Sequence, residues 1–237
     1  MTHFQTIPPH EAEGVIKFAA EHEHRALEVR RYGDAASSLV AWRQILRHTA
    51  LVGQDPARYG GYGYGNVSTR VGPPSAGRGR RSFLVSGTQT SGIVDASLEH
   101  FCLVESYDVG RNRVLSRGLV KPSSESLTHA AVYDLGPQIR FVFHAHSSVL
   151  WRAARALRLP TTNPQVSYGT PEMAAEVQRL YRSTALAESR LLVMGGHEDG
   201  FVAFGRTAEE AGQTLLSALA QAYEIDSRKQ HGLETRR

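Results

Sequence analysis

Cysteine is nearly missing from this chain. Cys102 is the single one, so no internal disulfide can form, and a reducing, cytoplasmic setting is the simplest expectation. Long apolar runs are missing as well. Nothing approaches the roughly 18 consecutive apolar residues of a bilayer-crossing helix, and Met1 to His10 has no apolar core of a signal peptide, so no membrane association is expected. Internal repeats, zinc-finger spacings and a linker that would divide the chain are also lacking. Neither sign of charge is in large excess, with a formal net charge of +4 and a pI of about 9.4. The densest basic cluster is Arg78, Arg80 and Arg81, in a Gly/Pro/Ser-rich stretch with no interleaved aromatics. A solvated loop is the expectation there, and nucleic-acid binding is disfavoured. What remains is an ordinary globular composition: 237 residues, 41% hydrophobic and 21% charged, enough for one large domain with its own core.

Residues 9–50 read as helical, in two segments that break near Tyr32-Gly33-Asp34, with Leu39, Trp42, Ile45 and Leu46 at helical spacing. A glycine-rich stretch, Gly60 to Asn66, allows positive φ and close backbone approach to a ligand. Strands are expected from Val67 and over Ser82 to Val85. The second runs into Ser86-Gly87-Thr88-Gln89-Thr90-Ser91-Gly92, a turn dense in hydroxyls and glycines. Such a turn at a strand end offers donors to an anion, although a plain polar turn is the simpler local reading. Phe101 to Glu105 and Arg113 to Leu115 read as paired strands. Lys121-Pro122-Ser123-Ser124-Glu125 then opens a helix reaching Tyr133 or Leu135, with proline and serines as its start signal. Two hydroxyls and free N–H groups at the positive end of a helix make an anion site. Glu125 in the first turn would equally serve as a helix-dipole complement.

Phe141-Val142-Phe143-His144-Ala145-His146 is rich in aromatic and β-branched residues and reads as a short buried strand. Residues i and i+2 share a face of a strand, so His144 and His146 stand side by side, about 7 Å apart at Cα. Two imidazoles there can close on one ion or can be hydrogen-bonded core residues, and the strand alone leaves both open. His22 and His24 fall in a helical pattern, where such spacing diverges, and read as a solvated face. Further on, Val149 to Leu159 reads as a short helix and Thr170-Pro171-Glu172 as another helix start. Strands cover Arg190 to Met194 and Phe201 to Phe204, flanking the turn Gly195-Gly196-His197-Glu198-Asp199-Gly200. A capping box at Thr207 opens a long final helix. Strands and helices interleave throughout, which argues for an α/β sheet covered by helices.

Gly65-Asn66-Val67-Ser68, the Ser86–Gly92 turn, Pro122-Ser123-Ser124-Glu125, the His144-x-His146 strand and Gly196-His197 resemble, in order and spacing, the class II aldolase/adducin family over roughly residues 38–225. The resemblance implies a single α/β/α domain around a largely antiparallel sheet, over residues 36–237, preceded by an N-terminal helical extension over residues 1–35. It implies a homotetramer with sites at subunit boundaries. His144, His146 and His197 correspond to the metal ligands, with zinc favoured and manganese, iron or nickel open. Glu125 corresponds to the catalytic acid/base. Asn66, Ser123, Ser124 and the hydroxyl turn correspond to a phosphate cradle. Within the turn, Ser86-Gly87-Thr88 fits the strand end and Ser91-Gly92 fits the distance to Leu98. His129 matches a supporting histidine. The segment before Thr170 is shorter than in fuculose-type aldolases, and Tyr168 is a poor counterpart of the tyrosine that protonates their product. Glu198 and Asp199 would stand beside the metal or just behind its ligands.

The resulting expectation is a divalent-metal lyase that cleaves a small sugar or sugar phosphate through a metal-stabilised enediolate. Epimerisation, dehydration or decarboxylation by the same chemistry is the alternative, and an adducin-like, non-catalytic assembly module is a second one.

Overall fold

A computed structural model describes residues 15–231. In chain order its elements are β1 (Ala19–His24), α1 (Val29–His48), β2 (Gly53–Gln54), β3 (Gly63–Tyr64), β4 (Asn66–Arg70), β5 (Phe83–Ser86), β6 (Phe101–Asp108), β7 (Arg113–Gly118), α2 (Ser126–Tyr133), β8 (Phe141–His146), α3 (Ser148–Ala153), α4 (Pro171–Ser183), α5 (Leu186–Ser189), β9 (Leu191–Val193), β10 (Gly200–Gly205) and α6 (Ala208–Gln230). Eight strands form one sheet in the order β1-β7-β6-β5-β4-β8-β10-β9. Only β1 and β7 pair in parallel; the other neighbours are antiparallel. β2 and β3 make a separate two-stranded ribbon.

Alternation along β8 sorts the two cores. Phe143 and Ala145 pack with Leu39 and Leu46 of α1, Leu150 of α3, and Leu215 and Leu219 of α6. Val142 faces the other way, onto Leu127 and Ala130 of α2 and Met173, Val177 and Leu180 of α4. The molecule is therefore an α/β/α sandwich with a largely antiparallel sheet, as the family resemblance implied. By the same period of two, His144 and His146 share the face of Val142 and look toward α2. Local caps set the helix starts around them. Thr170 Oγ1 accepts from Met173 N at 3.3 Å with Pro171 in the first turn, and Thr207 Oγ1 accepts from Glu210 N at 3.2 Å. No helix among the described residues is long and apolar enough to cross a membrane.

Several expectations fail locally. Glu21 to His24 is not helical but forms the edge strand β1, with His22 opposite Ser116 and its Nδ1 3.1 Å from Ser116 Oγ. A strand exposed on an edge needs no apolar stripe, because the ladder of β7 satisfies its backbone; the anchor is Phe18, just before it, buried in the second core. The break at Tyr32-Gly33-Asp34 does not occur, because Tyr32 is buried in the first core and α1 runs through. The predicted helix over Val149 to Leu159 stops at Ala153. The basic loop is not wholly solvated: Arg81 is buried, donates to Tyr133 O and lies 4.0 Å from Asp134, while Arg78 Nε donates to Asp134 O at 3.2 Å. Residues 1–14, part of the expected extension, lie outside the described residues.

Candidate metal centre and the adjoining cleft

β8 carries His144 and His146 to the middle of the sheet, and the turn between β9 and β10 brings His197 over them. The Nε2 atoms of His144 and His146 lie 2.9 Å apart, and Nε2 of His197 lies 3.2 Å from that of His146. All three residues are buried. His144 Nδ1 donates to Phe201 O at 2.9 Å; a carbonyl only accepts, so the proton is on Nδ1 and Nε2 presents its lone pair to the cluster. Burial lowers the pKa of His144 to about 4, with the Phe201 carbonyl opposing it, and burial also holds His146 and His197 well below the ordinary imidazole value. Neutral imidazoles converging by their nitrogens are the donor set a divalent ion needs. Nitrogens around a tetrahedral ion at about 2.1 Å stand roughly 3.4 Å apart, so these side chains fit a metal with small ring movements. Among the described residues this is the one group of three His, Cys, Asp or Glu that can hold an ion, with its ligand atoms within 4.8 Å of one another.

Glu125 is the N-cap residue of α2 and is buried, with Oε1 3.8 Å from His197 Nε2. Ser123 Oγ accepts from its N–H at 3.2 Å, and the helix holds its carbonyl through His129 N at 3.0 Å. His129 is not in the cluster. Its Nδ1 lies 2.6 Å from Ser68 Oγ, which lies 2.7 Å from Tyr133 OH.

A narrow cleft opens beside Glu125 and His144. Asn66, Gly87, Thr88, Ser91, Ser123 and Ser124 line it, with Gly63, Gly65 and Gln89. Asn66 pairs with His144 across the β4–β8 ladder, and its buried Oδ1 has no hydrogen-bond partner among the described residues. Gly65 before it has φ 71°, and a Cβ there would stand 2.8 Å from Val52 Cγ2 and 3.0 Å from His144 O, so only glycine fits. Two turn residues expected in the cradle do not border the cleft. Ser86 ends β5, and its Oγ accepts from Val67 N at 3.1 Å, tying β5 to β4. Gly92 packs on Gln54.

Other neighbours escaped the sequence reading or were set aside by it. Tyr168 is buried with its ring centroid 4.5 Å from that of His197, and Lys17 Nζ lies 3.6 Å from the Tyr168 ring centroid. The Tyr168 hydroxyl donates to Val15 O at 3.4 Å, so the N-terminal segment packs against the far side of the metal-ligand turn. Tyr59 sits 4.9 Å from the His146 ring and donates to Asp199 Oδ2 at 2.8 Å, with Arg58 Nη2 donating to the Tyr59 hydroxyl at 2.8 Å. Asp199 thus stands behind the ligands, as expected of that turn. The one available signal for Tyr59 was its place at the start of the glycine-rich stretch.

The family model for the class II aldolase and adducin N-terminal domain matches residues 57–225. The chain belongs to the class II aldolase and adducin family. Among solved structures, the sugar-phosphate aldolase of Thermotoga maritima is similar at 14% identity and TM-score 0.65, covering 86% of this chain and 98% of that one. L-fuculose-1-phosphate aldolase of Thermus thermophilus is similar at 17% identity and TM-score 0.60, with 86% and 98% covered. YgbL of Escherichia coli, a putative aldolase/epimerase/decarboxylase, is similar at 15% identity and TM-score 0.60, with 85% and 91% covered. No curated protein matches the chain in sequence. At these identities the solved class II aldolases share the fold of this chain.

Proposed function

We propose that this class II aldolase-family protein is a divalent-metal lyase that cleaves a small sugar phosphate. The observation that carries the reading is the convergence of three neutral imidazoles within 4.8 Å, with the Glu125 carboxylate 3.8 Å from one of them. Family membership supports the same metal-dependent, aldolase-like role. His144, His146 and His197 would hold the ion, with zinc favoured by the all-nitrogen set and manganese, iron or nickel compatible with it. A bound divalent cation would supply Lewis-acid polarisation of the substrate carbonyl. Asn66, Thr88, Ser91, Ser123, Ser124 and the backbone of Gly87 line the cleft and would seat the substrate's phosphate beside the carbonyl end. Glu125 would move the proton at the carbon next to the carbonyl, taking up or returning it as the neighbouring C–C bond breaks or forms. Seating the substrate and moving that proton serve 4-epimerisation, dehydration and decarboxylation equally, so these are the alternatives within the same site.

The boundary expected at residue 35 falls inside α1 (Val29–His48), whose Tyr32 is in the first core, and β1 joins the main sheet; in this reading the catalytic domain includes both. The assembly is a homotetramer, to be read by sedimentation, and the setting is cytoplasmic, in keeping with a single cysteine. The deciding experiment screens retro-aldol, epimerase and dehydratase activity over ketose phosphates at defined metal loading. Glu125→Gln is expected to keep its metal content and lose about 10²- to 10⁴-fold in turnover. Unchanged turnover removes Glu125 from the chemistry. Purified protein that takes up no zinc, manganese or iron removes the lyase.

A further inference from the structure

Helix α1 passes behind the cleft, and its Arg43 is fully buried. Nη2 of Arg43 donates to Thr90 O at 2.6 Å and Ser91 O at 3.0 Å, and Nη1 has no hydrogen-bond partner among the described residues. Arg47, one turn on, donates to Ile93 O at 3.2 Å. No carboxylate among the described residues forms an ion pair with Arg43; burial lowers its pKa to about 10, and the charge that acts on it is the like charge of Arg47. It therefore stays protonated at neutral pH. A buried cation without a counter-ion is a costly thing for a fold to keep.

The two bonds from Nη2 also fix the turn. In a trans peptide the carbonyl and the following N–H point in opposite directions. With the carbonyls of Thr90 and Ser91 drawn to α1, the N–H groups of Ser91 and Gly92 face away from it. The cleft is on that side: Ser91 lines it, and a Cβ on Gly63, another lining residue, would stand 3.6 Å from Ser91 N. Neither N–H has a hydrogen-bond partner among the described residues. The Ser91 hydroxyl is already committed to Gly65 O at 2.7 Å. The Ser91 N–H at the cleft wall, backed by an unneutralised guanidinium, is a donor for an oxyanion.

We infer that Arg43 is a positioning residue that turns the Ser91 N–H into the cleft, and that its buried charge makes the site select a phosphate monoester over a neutral sugar. The inference rests on the reading of this cleft as the substrate's phosphate seat. It also gives the Ser86–Gly92 turn its working part: the Thr90–Ser91 peptide acts through its N–H, beside Gly87 and Thr88 in the lining.

The test is calorimetric titration of the metal-loaded, full-length protein with inorganic phosphate and with glycerol 3-phosphate, using glycerol as the neutral control. The wild type should bind both phosphates and not glycerol. Arg43→Gln should weaken phosphate at least about tenfold with metal content and circular dichroism unchanged, and Arg43→Lys should recover part of the loss. An Arg43→Gln protein with wild-type phosphate affinity overturns the role, because a turn staple without electrostatic function predicts that result. If the Gln variant does not fold, amide resonances of the wild type decide. The Ser91 amide shifting on phosphate addition supports the role, and its standing still overturns it. Elemental analysis of the same samples separates the two readings. Bound metal with no phosphate affinity sinks the Arg43 inference alone, whereas phosphate affinity without metal supports it while the lyase falls.

Discussion

His144, His146 and His197 are neutral because they are buried, and that neutrality has a pH cost with a definite sign. The pKa of His144 is about 4 in the fold, against an ordinary value of 6.5. Between those values the unfolded chain holds a proton that the folded one refuses, so stability is full above about pH 6.5 and falls as the pH drops toward 4. For His144 alone the loss between pH 6.5 and 5 is about 2 kcal/mol. His146 and His197 shift in the same direction from the same principal cause. Urea unfolding of chelator-stripped protein should therefore show the midpoint falling steeply between pH 7 and pH 5, a window in which few carboxylates titrate. A flat midpoint would mean the rings are not buried together. At this scale the sequence was informative where chemistry repeats along a strand: the His-x-His spacing alone put two imidazoles on one face. It was silent on Ser86 against Ser91, because both are serines in one turn; in the fold Ser86 Oγ accepts from Val67 N and Ser91 Oγ donates to Gly65 O, and only Ser91 borders the cleft.

Elements with a full apolar pattern and a cap were legible, and those held by their neighbours were not. β8, α4 and α6 carry their period and their start signals in the sequence, and the structure finds them there. β1 carries neither, since Glu21, Glu23 and His24 are exposed and His22 is only half-buried, and it is extended only because β7 offers an open edge. Arg43 was hidden inside a stripe that read as ordinary helix, because nothing local tells a buried arginine from a surface one. The α1–α6 contact yields a prediction of the same kind. Gly212, in the second turn of α6, lies under Trp42 of α1, and a Cβ there would stand 2.0 Å from Cζ3 and 2.1 Å from Cε3 of the indole. Alanine would gain up to about 1 kcal/mol in helix propensity. Against that, two ring atoms must retreat by well over an ångström, and overpacking of this kind costs about 1–3 kcal/mol. The indole also packs against Phe143 at 6.2 Å, so its retreat disturbs the first core as well. The clash should win: Gly212→Ala is expected to lower the thermal midpoint by several degrees, read by calorimetry, and a stabilised variant would show that α1 and α6 are spaced more widely than here.

On the scale of the whole molecule, the metal centre is a joint. One ion would tie the central strand β8 to the β9–β10 turn, with Glu125 bringing in the start of α2 from the opposite layer. His197 is in turn backed by Tyr168 and, through it, by Val15 and Lys17 ahead of the edge strand. Segments far apart in sequence thus meet at one point, and such a point does not exist in the unfolded chain. A ligand that binds only the folded form stabilises it by about 2.7 kcal/mol at a hundredfold excess over its dissociation constant. For a chain of this size that corresponds to a rise of roughly 5–10 °C. Zinc-loaded protein should therefore melt that much above chelator-stripped protein at pH 7.5. Hydrogen exchange locates the gain: amides of β8 and of the turn around His197 should slow on loading, whereas those of β1, on the far edge of the sheet, should not. Equal melting temperatures for stripped and loaded protein would mean that the three rings, though together, hold no ion, and an unselective slowing that included β1 would place the ion elsewhere.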